Sequence, residues 1–226
     1  MEYDKAVAEL GVLNEFIDFV NKQVGVYVDC LAGFEGNTVR IHRQVARVNR
    51  PVGRKIENGH PVVMYASVED PSRPDVIHHR IIRTSDFLAA NAEVGFNEQQ
   101  MCRGIIVFIF TFWDEDIRPR IAAIRGVEPN EIKLDALGDL RTLRNNIIHN
   151  GGHLPASEHA KLKVLQEVCK PDAPIAPTHD QMHLIFVAVK NSIGRLILHY
   201  TGHLPGAPKP EDIVSIAIQN PPKKAG

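Results

Sequence analysis

Apolar residues recur at helical spacing in several long segments, and this pattern predicts a mainly helical protein. Between Tyr3 and Val24 they recur every three or four residues, which is the period of a helix that buries one face. The pattern also predicts helices at residues 38–49, 97–127, 135–149, 157–169 and 178–201. Glycines interrupt the pattern between Val24 and Gly36, so we expect a break between the first two helices.

Several of these helices begin with residues typical of helix N-termini. Asn97 with Gln100, and Thr178 with Gln181, have the spacing of capping boxes. Single-residue caps are expected at Ser85, for a short helix to Ala92, and at Ser157, for a helix to about Cys169. Pro119 lies inside the long helix that begins at residue 97, and we expect it to kink or restart that helix.

Two short segments have the composition of strands. Residues 62–68 and 76–82 are rich in β-branched side chains, and a turn rich in proline and aspartate separates them. This order predicts a β-hairpin. A helix over Asp75–Arg83 is the alternative for the second arm.

The whole pattern predicts a mainly α fold, a bundle of four main helices plus extensions with a small β-hairpin insertion. Residues 97–203 form the expected helical core. Residues 1–96 supply N-terminal helices and the hairpin, packed on that bundle, and residues 204–226 form a proline-rich tail. The segment Ile105–Trp113 is apolar on all sides, so it needs cover from the bundle or from a second subunit.

Composition narrows the class of protein. The formal net charge is -1, so nucleic-acid binding would depend on a local basic patch. Cys30, Cys102 and Cys169 are far apart, which argues against a disulfide framework or a cysteine zinc site and is typical of a reducing compartment. The N-terminal segment lacks the apolar core of a signal peptide, and Ile105–Trp113 is too short to span a bilayer. These features predict a cytoplasmic protein without a membrane span.

Arginines form a stripe on the predicted helix that begins near residue 38. Arg40, Arg43, Arg47 and Arg50 fall on one face of this helix, and Arg54 continues their spacing. Guanidinium groups suit phosphate oxygens, so Arg40, Arg43 and Arg47 are candidate RNA-binding residues. The alternative is a solvated face whose charges pair with acids elsewhere.

The segment Leu137–Gly152 carries the most informative chemistry. It predicts an amphipathic helix that stops at Asn150-Gly151-Gly152. Arg144 falls inside the apolar sector, where an unpaired charge is costly, so it needs a partner, a cleft or a subunit interface. His149 lies in the final turn, where the helix dipole favours a cation.

The run Arg144-Asn145-Asn146-Ile147-Ile148-His149 resembles the Arg-x4–6-His motif of the HEPN superfamily, a resemblance that covers about residues 97–202. It implies an all-helical bundle and a homodimer in which two motifs share one cleft. It further implies a metal-independent endoribonuclease without a cofactor, in which Arg144 holds the scissile phosphate, His149 moves a proton and Asn145 orients them. Many members belong to toxin–antitoxin or anti-phage systems, so the implied partners are an RNA substrate and a cognate antitoxin protein.

Two other interpretations remain open. Arg144 could pair with a carboxylate such as Asp139 while His149 caps the helix, and the chain would then be a catalytically inactive module for dimerisation or partner binding. Histidines four residues apart can share a zinc ion. The pairs with this spacing are His149/His153, His179/His183 and His199/His203.

Overall fold

The computed structural model describes residues 2–48, 62–68, 72 and 77–201, and this part of the chain is mainly helical, as predicted. The α-helices in chain order are α1 (Glu2–Val48), α2 (Thr84–Ala90), α3 (Phe96–Phe112), α4 (Arg118–Arg125), α5 (Asp135–His149), α6 (Ala156–His159) and α7 (His179–Thr201). The strands are β1 (Val62–Val68), β2 (Ile77–Arg83), β3 (His153–Leu154) and β4 (Ala173–Pro174). The predicted tail at residues 204–226 lies outside the described residues.

Helix α1 is continuous, so the predicted break between residues 24 and 36 is wrong. Gly25, Gly33 and Gly36 lie inside it, and a Cβ at any of them would meet no described atom within 4 Å. Each glycine costs up to about 1 kcal/mol of helix stability relative to alanine. Tertiary packing offsets this cost, because Tyr27 and Ile41 are each only 2% exposed and burying a large apolar side chain contributes about 1.5–3 kcal/mol.

The hydrophobic core forms where α1, α3, α5 and α7 meet. The Phe16 ring of α1 lies 5.4 Å from the Trp113 ring, and the Phe19 ring lies 4.3 Å from the Phe112 ring, centroid to centroid. The other helices contribute buried side chains that include Ile106, Ile109, Leu140, Leu143, Val189 and Ile193. One core therefore joins α1 to the helices that follow the hairpin.

The apolar segment Ile105–Trp113 is covered on most sides but not on all. Five of its side chains are at most 5% exposed, whereas Phe108 is 62% exposed. Among the described helices, none combines the length and the apolar character that a membrane crossing requires.

The predicted hairpin is confirmed. Strands β1 and β2 pair antiparallel, with Val62 opposite Arg83 and Val68 opposite Ile77. The helical alternative for the second arm is therefore wrong over the described residues 77–83. The β-branched side chains of these segments favour the extended conformation.

The start of α3 depends on Gly95 and Glu98, and the predicted Asn97–Gln100 box is wrong. An oxygen of Glu98 accepts the N–H of Val94 at 2.6 Å. A Cβ on Gly95 would lie 2.6–2.9 Å from three backbone carbonyl oxygens, so the approach of the chain requires glycine. Ser85 is not a cap either, because α2 begins one residue before it and its hydroxyl bonds to the neighbouring carboxylate.

The long helix changes type directly before Pro119, where the sequence predicts a kink or a restart. A π-helical segment, Trp113–Ile117, follows α3, and Pro119 is the second residue of α4. Proline and π-helical turns are both common causes of irregularity within a long helix. Gly126 ends α4 with a φ of 74°, a conformation that favours glycine.

Helix α6 has four residues, so the predicted helix from Ser157 to Cys169 is wrong. The Asp139 carboxylate of α5 accepts the backbone N–H groups of Lys163–Leu165 at 2.7–3.0 Å. These contacts hold the segment against α5 and take its backbone donors away from a helix. Burial, and then the charge of Asp139, raises the pKa of the Cys169 thiol to about 11.

Helix α7 begins with the predicted capping box. The Thr178 N–H donates to the Gln181 side chain at 2.9 Å, and the Gln181 N–H donates to the Thr178 hydroxyl at 3.3 Å. The predicted apolar stripe is buried at Met182, Ile185, Phe186, Val189 and Ile193 and partly buried at Leu196 and Ile197. Its last member, Tyr200, lies outside the described side chains.

A buried polar group links α1, α3 and α7. The Tyr27 hydroxyl donates to Glu98 at 3.4 Å, and the Tyr27 ring stacks on His179 with a centroid distance of 5.6 Å. Burial, and then Cys102 and Glu98, raises the pKa of Tyr27 well above its usual value. Burial, and then Glu98, raises the pKa of the Cys102 thiol to about 12. Both groups therefore remain protonated at neutral pH.

Candidate functional site

Helix α5 ends where the sequence predicts. His149 is its last residue, and Gly151 and Gly152 adopt φ angles of 59° and 81°, a region that favours glycine. The Asn146 carbonyl accepts the N–H of Asn150 at 3.1 Å and the N–H of Gly152 at 3.0 Å. These bonds close the last turn and fix the backbone at His149.

Arg144 is half-buried on α5, and its guanidinium is only partly satisfied. Its Nη1 donates to Oδ1 of Asn145 at 3.0 Å. Its Nε is buried and has no hydrogen-bond partner among the described residues. A buried donor without a partner is costly, and an anion that reached this group would gain a charge-assisted hydrogen bond.

The two asparagines of the motif have different surroundings. Asn145 is half-buried and holds Arg144. Asn146 is 3% exposed, and its side chain bonds to the Thr142 carbonyl at 2.8 Å and to the Asn150 amide at 2.6 Å. Asn146 therefore stabilises the helix end, whereas Asn145 contacts the candidate anion-binding group.

The structure places Arg144 and His149 on the same helix but on different sides of it. His149 is exposed, whereas Arg144 is half-buried. Five residues at ~100° each separate them by about 140° around the helix and by about 7.5 Å along its axis. A substrate must therefore reach across the end of α5 to meet both, or a second copy of the chain must supply one of them.

Asp139 is not the partner of Arg144, so that part of the structural interpretation is wrong. Both oxygens of Asp139 accept backbone N–H groups of Lys163–Leu165. The carboxylate is 3% exposed, and its five-residue offset from Arg144 again corresponds to about 140° around the helix.

Arg103 of α3 is a neighbour of the motif that the sequence pattern did not reveal. Its Nε donates to the Ile175 carbonyl at 2.8 Å, and a Cβ on Gly152 would lie 2.7 Å from its guanidinium carbon. The Ile175 N–H in turn donates to the Gly152 carbonyl at 2.7 Å. In the sequence, Arg103 is recognisable only as a charged residue within the apolar pattern of α3. Its position beside the end of α5 depends on how the two helices pack.

The arginine stripe lies on the exposed surface of α1. Arg40, Arg43 and Arg47 are exposed and line a groove of about 520 Å³. On the neighbouring turn of α1, the Asn37 side chain donates to the side chain of Asn91, the residue that follows α2. This end of α1 therefore lies beside α2. The remaining predicted members, Arg50 and Arg54, lie outside the described residues.

The histidine pairs form no metal-ligand cluster in the described part of the chain. No three His, Cys, Asp or Glu side chains there are close enough to hold an ion together. His179 stacks on Tyr27 instead. The pair His199/His203 lies outside the described side chains.

Comparisons with protein-family models, with curated proteins and with solved structures found no match to this chain. Arg144 supplies a permanent positive charge, Asn145 orients it, and the exposed imidazole of His149 can exchange a proton. Arg144 can therefore bind a phosphate group, and His149 can exchange a proton with a substrate that reaches across the end of α5.

Proposed function

We propose that this chain is a metal-independent endoribonuclease of HEPN type that cleaves single-stranded RNA in a toxin–antitoxin or anti-phage setting. The observation that carries the proposal is the state of Arg144. Its guanidinium is bonded to Asn145 through one nitrogen, and its buried Nε has no described partner. It lies on the helix whose last residue is the exposed His149.

The proposed reaction uses the nucleophile that RNA carries itself. Arg144 binds the scissile phosphate and stabilises the charge that develops on it. His149 moves a proton, either from the 2′-hydroxyl or to the leaving 5′-oxygen. The oxygen of the 2′-hydroxyl bonds to phosphorus, the bond to the 5′-oxygen breaks, and the product carries a 2′,3′-cyclic phosphate.

A homodimer is part of the proposal. A second copy would supply a second imidazole, so that one histidine serves as base and the other as acid. Large apolar side chains remain exposed on the three helices nearest the site: Phe108 is 62%, Ile148 47% and Leu184 51% exposed. Each of these helices thus presents apolar surface that a second copy would cover.

The test is cleavage of a labelled single-stranded RNA by purified protein in EDTA. His149→Ala should lower the rate by about 10²–10⁴, because proton transfer by a positioned side chain contributes that much. Arg144→Ala should abolish cleavage, and Arg144→Lys should restore little of the rate, because lysine keeps the charge but lacks the planar guanidinium fork. The product should end in a 2′,3′-cyclic phosphate, and the same sequence made of DNA should stay intact.

The matched control is His153→Ala, which removes another exposed histidine four residues after the motif. Circular dichroism and sedimentation show whether each variant is folded and keeps the assembly state of the wild type. A folded His149→Ala protein that cuts RNA at the wild-type rate would contradict the assignment, as would equal cleavage of DNA.

The second candidate function is a catalytically inactive helical module for dimerisation or partner binding, including the binding of an antitoxin. The exposed Phe108 and Leu184 side chains favour it, because a binding surface needs uncovered apolar area and no proton transfer. Assembly of the wild type without cleavage of any RNA would select this function.

The arginine stripe adds a subsidiary proposal. Arg40, Arg43 and Arg47 would guide RNA by contacting phosphates, which would strengthen binding without sequence preference. Their exposure and the groove that they line support this role.

A further inference from the structure

A second cleft lies beside the N-terminal half of α5. It has a volume of about 610 Å³ and lies between α5, the π-helical segment and the chain that connects α4 to α5. Its floor includes the buried side chains Phe110, Trp113 and Leu137. Its polar lining includes five cations: Arg118, Lys133, Arg141, Lys161 and Lys163.

Cationic side chains outnumber acidic ones in the lining of this cleft by five to three. Each of the three acids in the lining makes at least one contact within the protein. Asp139 is buried and saturated by backbone N–H groups. Asp135 pairs with Lys163 at 2.7 Å, and Glu131 accepts the N–H of Glu128 at 3.0 Å. The lining therefore carries a formal excess of two positive charges, five minus three, which attracts an external anion.

Two of these cations have no hydrogen-bond or ion-pair partner within the described part of the chain: Lys133 and Arg141. Both side chains are exposed, so an incoming anion can reach them without breaking a contact. Lys161 and Lys163 are paired on the surface, and such exposed pairs are weak enough to exchange for a phosphate.

The π-helical segment contributes a further donor at the wall of the cleft. Arg118 follows the segment and pairs with Asp114. The Nε of Arg118 is buried and lacks a hydrogen-bond partner among the described residues. Wide π-helical turns inside helices frequently occur at functional sites, and here the turn precedes a guanidinium that lines a basic cleft.

We infer that this cleft binds the phosphates of a single-stranded RNA, an inference that rests on the proposed ribonuclease for its choice of ligand. Lys133 and Arg141 bind the backbone, and Lys161, Lys163 and Arg118 extend the contact along the walls. The cleft is a binding site for the strand on one side of the scissile phosphate. No residue of it takes part in the chemical step.

The position of Arg141 connects the cleft to the candidate site. Arg141 and Arg144 are three residues apart on α5, so their Cβ atoms are neighbours at about 5–6 Å on the helix surface. A strand that lies over Arg141 therefore continues onto Arg144 one turn later. The RNA strand would then run from Lys133 over Arg141 to Arg144 and reach His149 at the end of α5.

The test measures RNA binding in the His149→Ala background, so that cleavage does not interfere. A labelled twelve-nucleotide oligouridine is titrated at several salt concentrations and followed by anisotropy. Lys133→Gln/Arg141→Gln should weaken binding by about tenfold and should lower the salt slope by about 1.4, because each lost phosphate contact on a single strand removes about 0.7.

The matched control is Lys5→Gln/Arg195→Gln, which removes one exposed lysine and one exposed arginine outside the cleft. It should bind nearly as well as the background protein. Equal weakening of both variants would overturn the inference, because it would reflect net charge alone. Weakening only in Arg43→Gln/Arg47→Gln would also overturn it, and would assign binding to the arginine stripe.

A chemical footprint checks the same contact without substitution. Bound RNA should slow acylation of Lys133, Lys161 and Lys163 and leave Lys5 unchanged; uniform rates would overturn the inference. Displacement of the RNA by equimolar uridine monophosphate would overturn it as well, because the ligand would then be a free nucleotide. If the cleft substitutions weaken RNA binding but the wild-type protein cleaves no RNA, the binding site is supported and the proposed ribonuclease activity is contradicted.

Discussion

Gly151 and Gly152 follow each other at the end of α5 and have similar backbone angles, but their surroundings differ. A Cβ on Gly151 would meet no described atom within 4 Å, whereas a Cβ on Gly152 would lie 2.7–3.0 Å from the guanidinium of Arg103. That guanidinium is held by the Ile175 carbonyl, so it cannot retreat without losing a hydrogen bond. Gly152 is thus required both for its backbone conformation and for the space that it leaves.

Replacing each of these glycines with alanine separates the two requirements. Gly151→Ala should cost about 1–2 kcal/mol of unfolding free energy, the cost of a left-handed L-residue. Gly152→Ala should cost more, because the same backbone cost adds to the displacement of Arg103. Urea unfolding of both variants gives the comparison, and equal losses would show that the contact with Arg103 adds nothing.

Among the site residues, the sequence could predict what depends on neighbours along the chain. The end of α5, the glycines after it and the place of His149 in the last turn all follow from local chemistry. The alternative pairing of Arg144 with Asp139 is wrong for a non-local reason, because Asp139 is held by a segment more than twenty residues away. Arg103 could not be predicted either, since only the packing of α3 brings it to Gly152.

At the scale of elements, the same distinction separates the confirmed predictions from the wrong ones. The capping box at Thr178 and Gln181 is confirmed because both bonds lie within one turn. The helix predicted after Ser157 is wrong because a carboxylate from α5 takes its backbone donors. The break predicted in α1 is wrong because each glycine costs only about 1 kcal/mol of helix stability. The free energy that α1 gains by packing against α3 and α7 is larger.

The continuity of α1 can be measured through its glycines. Gly33→Ala should raise the unfolding free energy by roughly 0.5–1 kcal/mol, because it removes backbone freedom from the unfolded chain and its Cβ would meet no described atom within 4 Å. Gly33→Pro is the opposing control and should cost about 3 kcal/mol or more inside a helix. A neutral proline variant in thermal unfolding would instead indicate a chain break at this position.

At the scale of the whole molecule, an ion pair with a buried carboxylate joins α1 to α4, which are far apart in the sequence. Glu9 of α1 is 3% exposed, and both of its oxygens accept hydrogen bonds from Arg125 at the end of α4. A superficially similar pair, Arg120 with Glu15, also joins α4 to α1, but both of its side chains are more than 40% exposed. Burial therefore sets the two pairs apart.

Removing each arginine should reveal this difference. Arg125→Ala should lower the unfolding free energy by about 3 kcal/mol, because it leaves the Glu9 carboxylate buried without its partner. Arg120→Ala removes two exposed pairs, with Glu15 and with Asp116, and should cost less than Arg125→Ala, because each exposed pair contributes only about 0.2–1 kcal/mol. Chemical denaturation of both variants is the measurement, and Glu9→Met/Arg125→Met should recover most of the loss, since apolar replacement removes the stranded charge. Equal costs for the two arginines would contradict this account.

The distance along the chain between α1 and its packing partners has a consequence for synthesis. Phe16 is covered by Trp113, so the apolar face of α1 must wait for roughly 100 further residues, which takes about 5–20 s at ordinary rates of translation. Tyr27 waits longer, because His179 and Phe186 of α7 complete its surroundings. During that interval the nascent chain presents an amphipathic helix with an uncovered face, the kind of surface that aggregates or recruits chaperones. Conditions that slow the ribosome between α1 and α7 should therefore reduce the yield of folded protein even though the finished fold is unchanged.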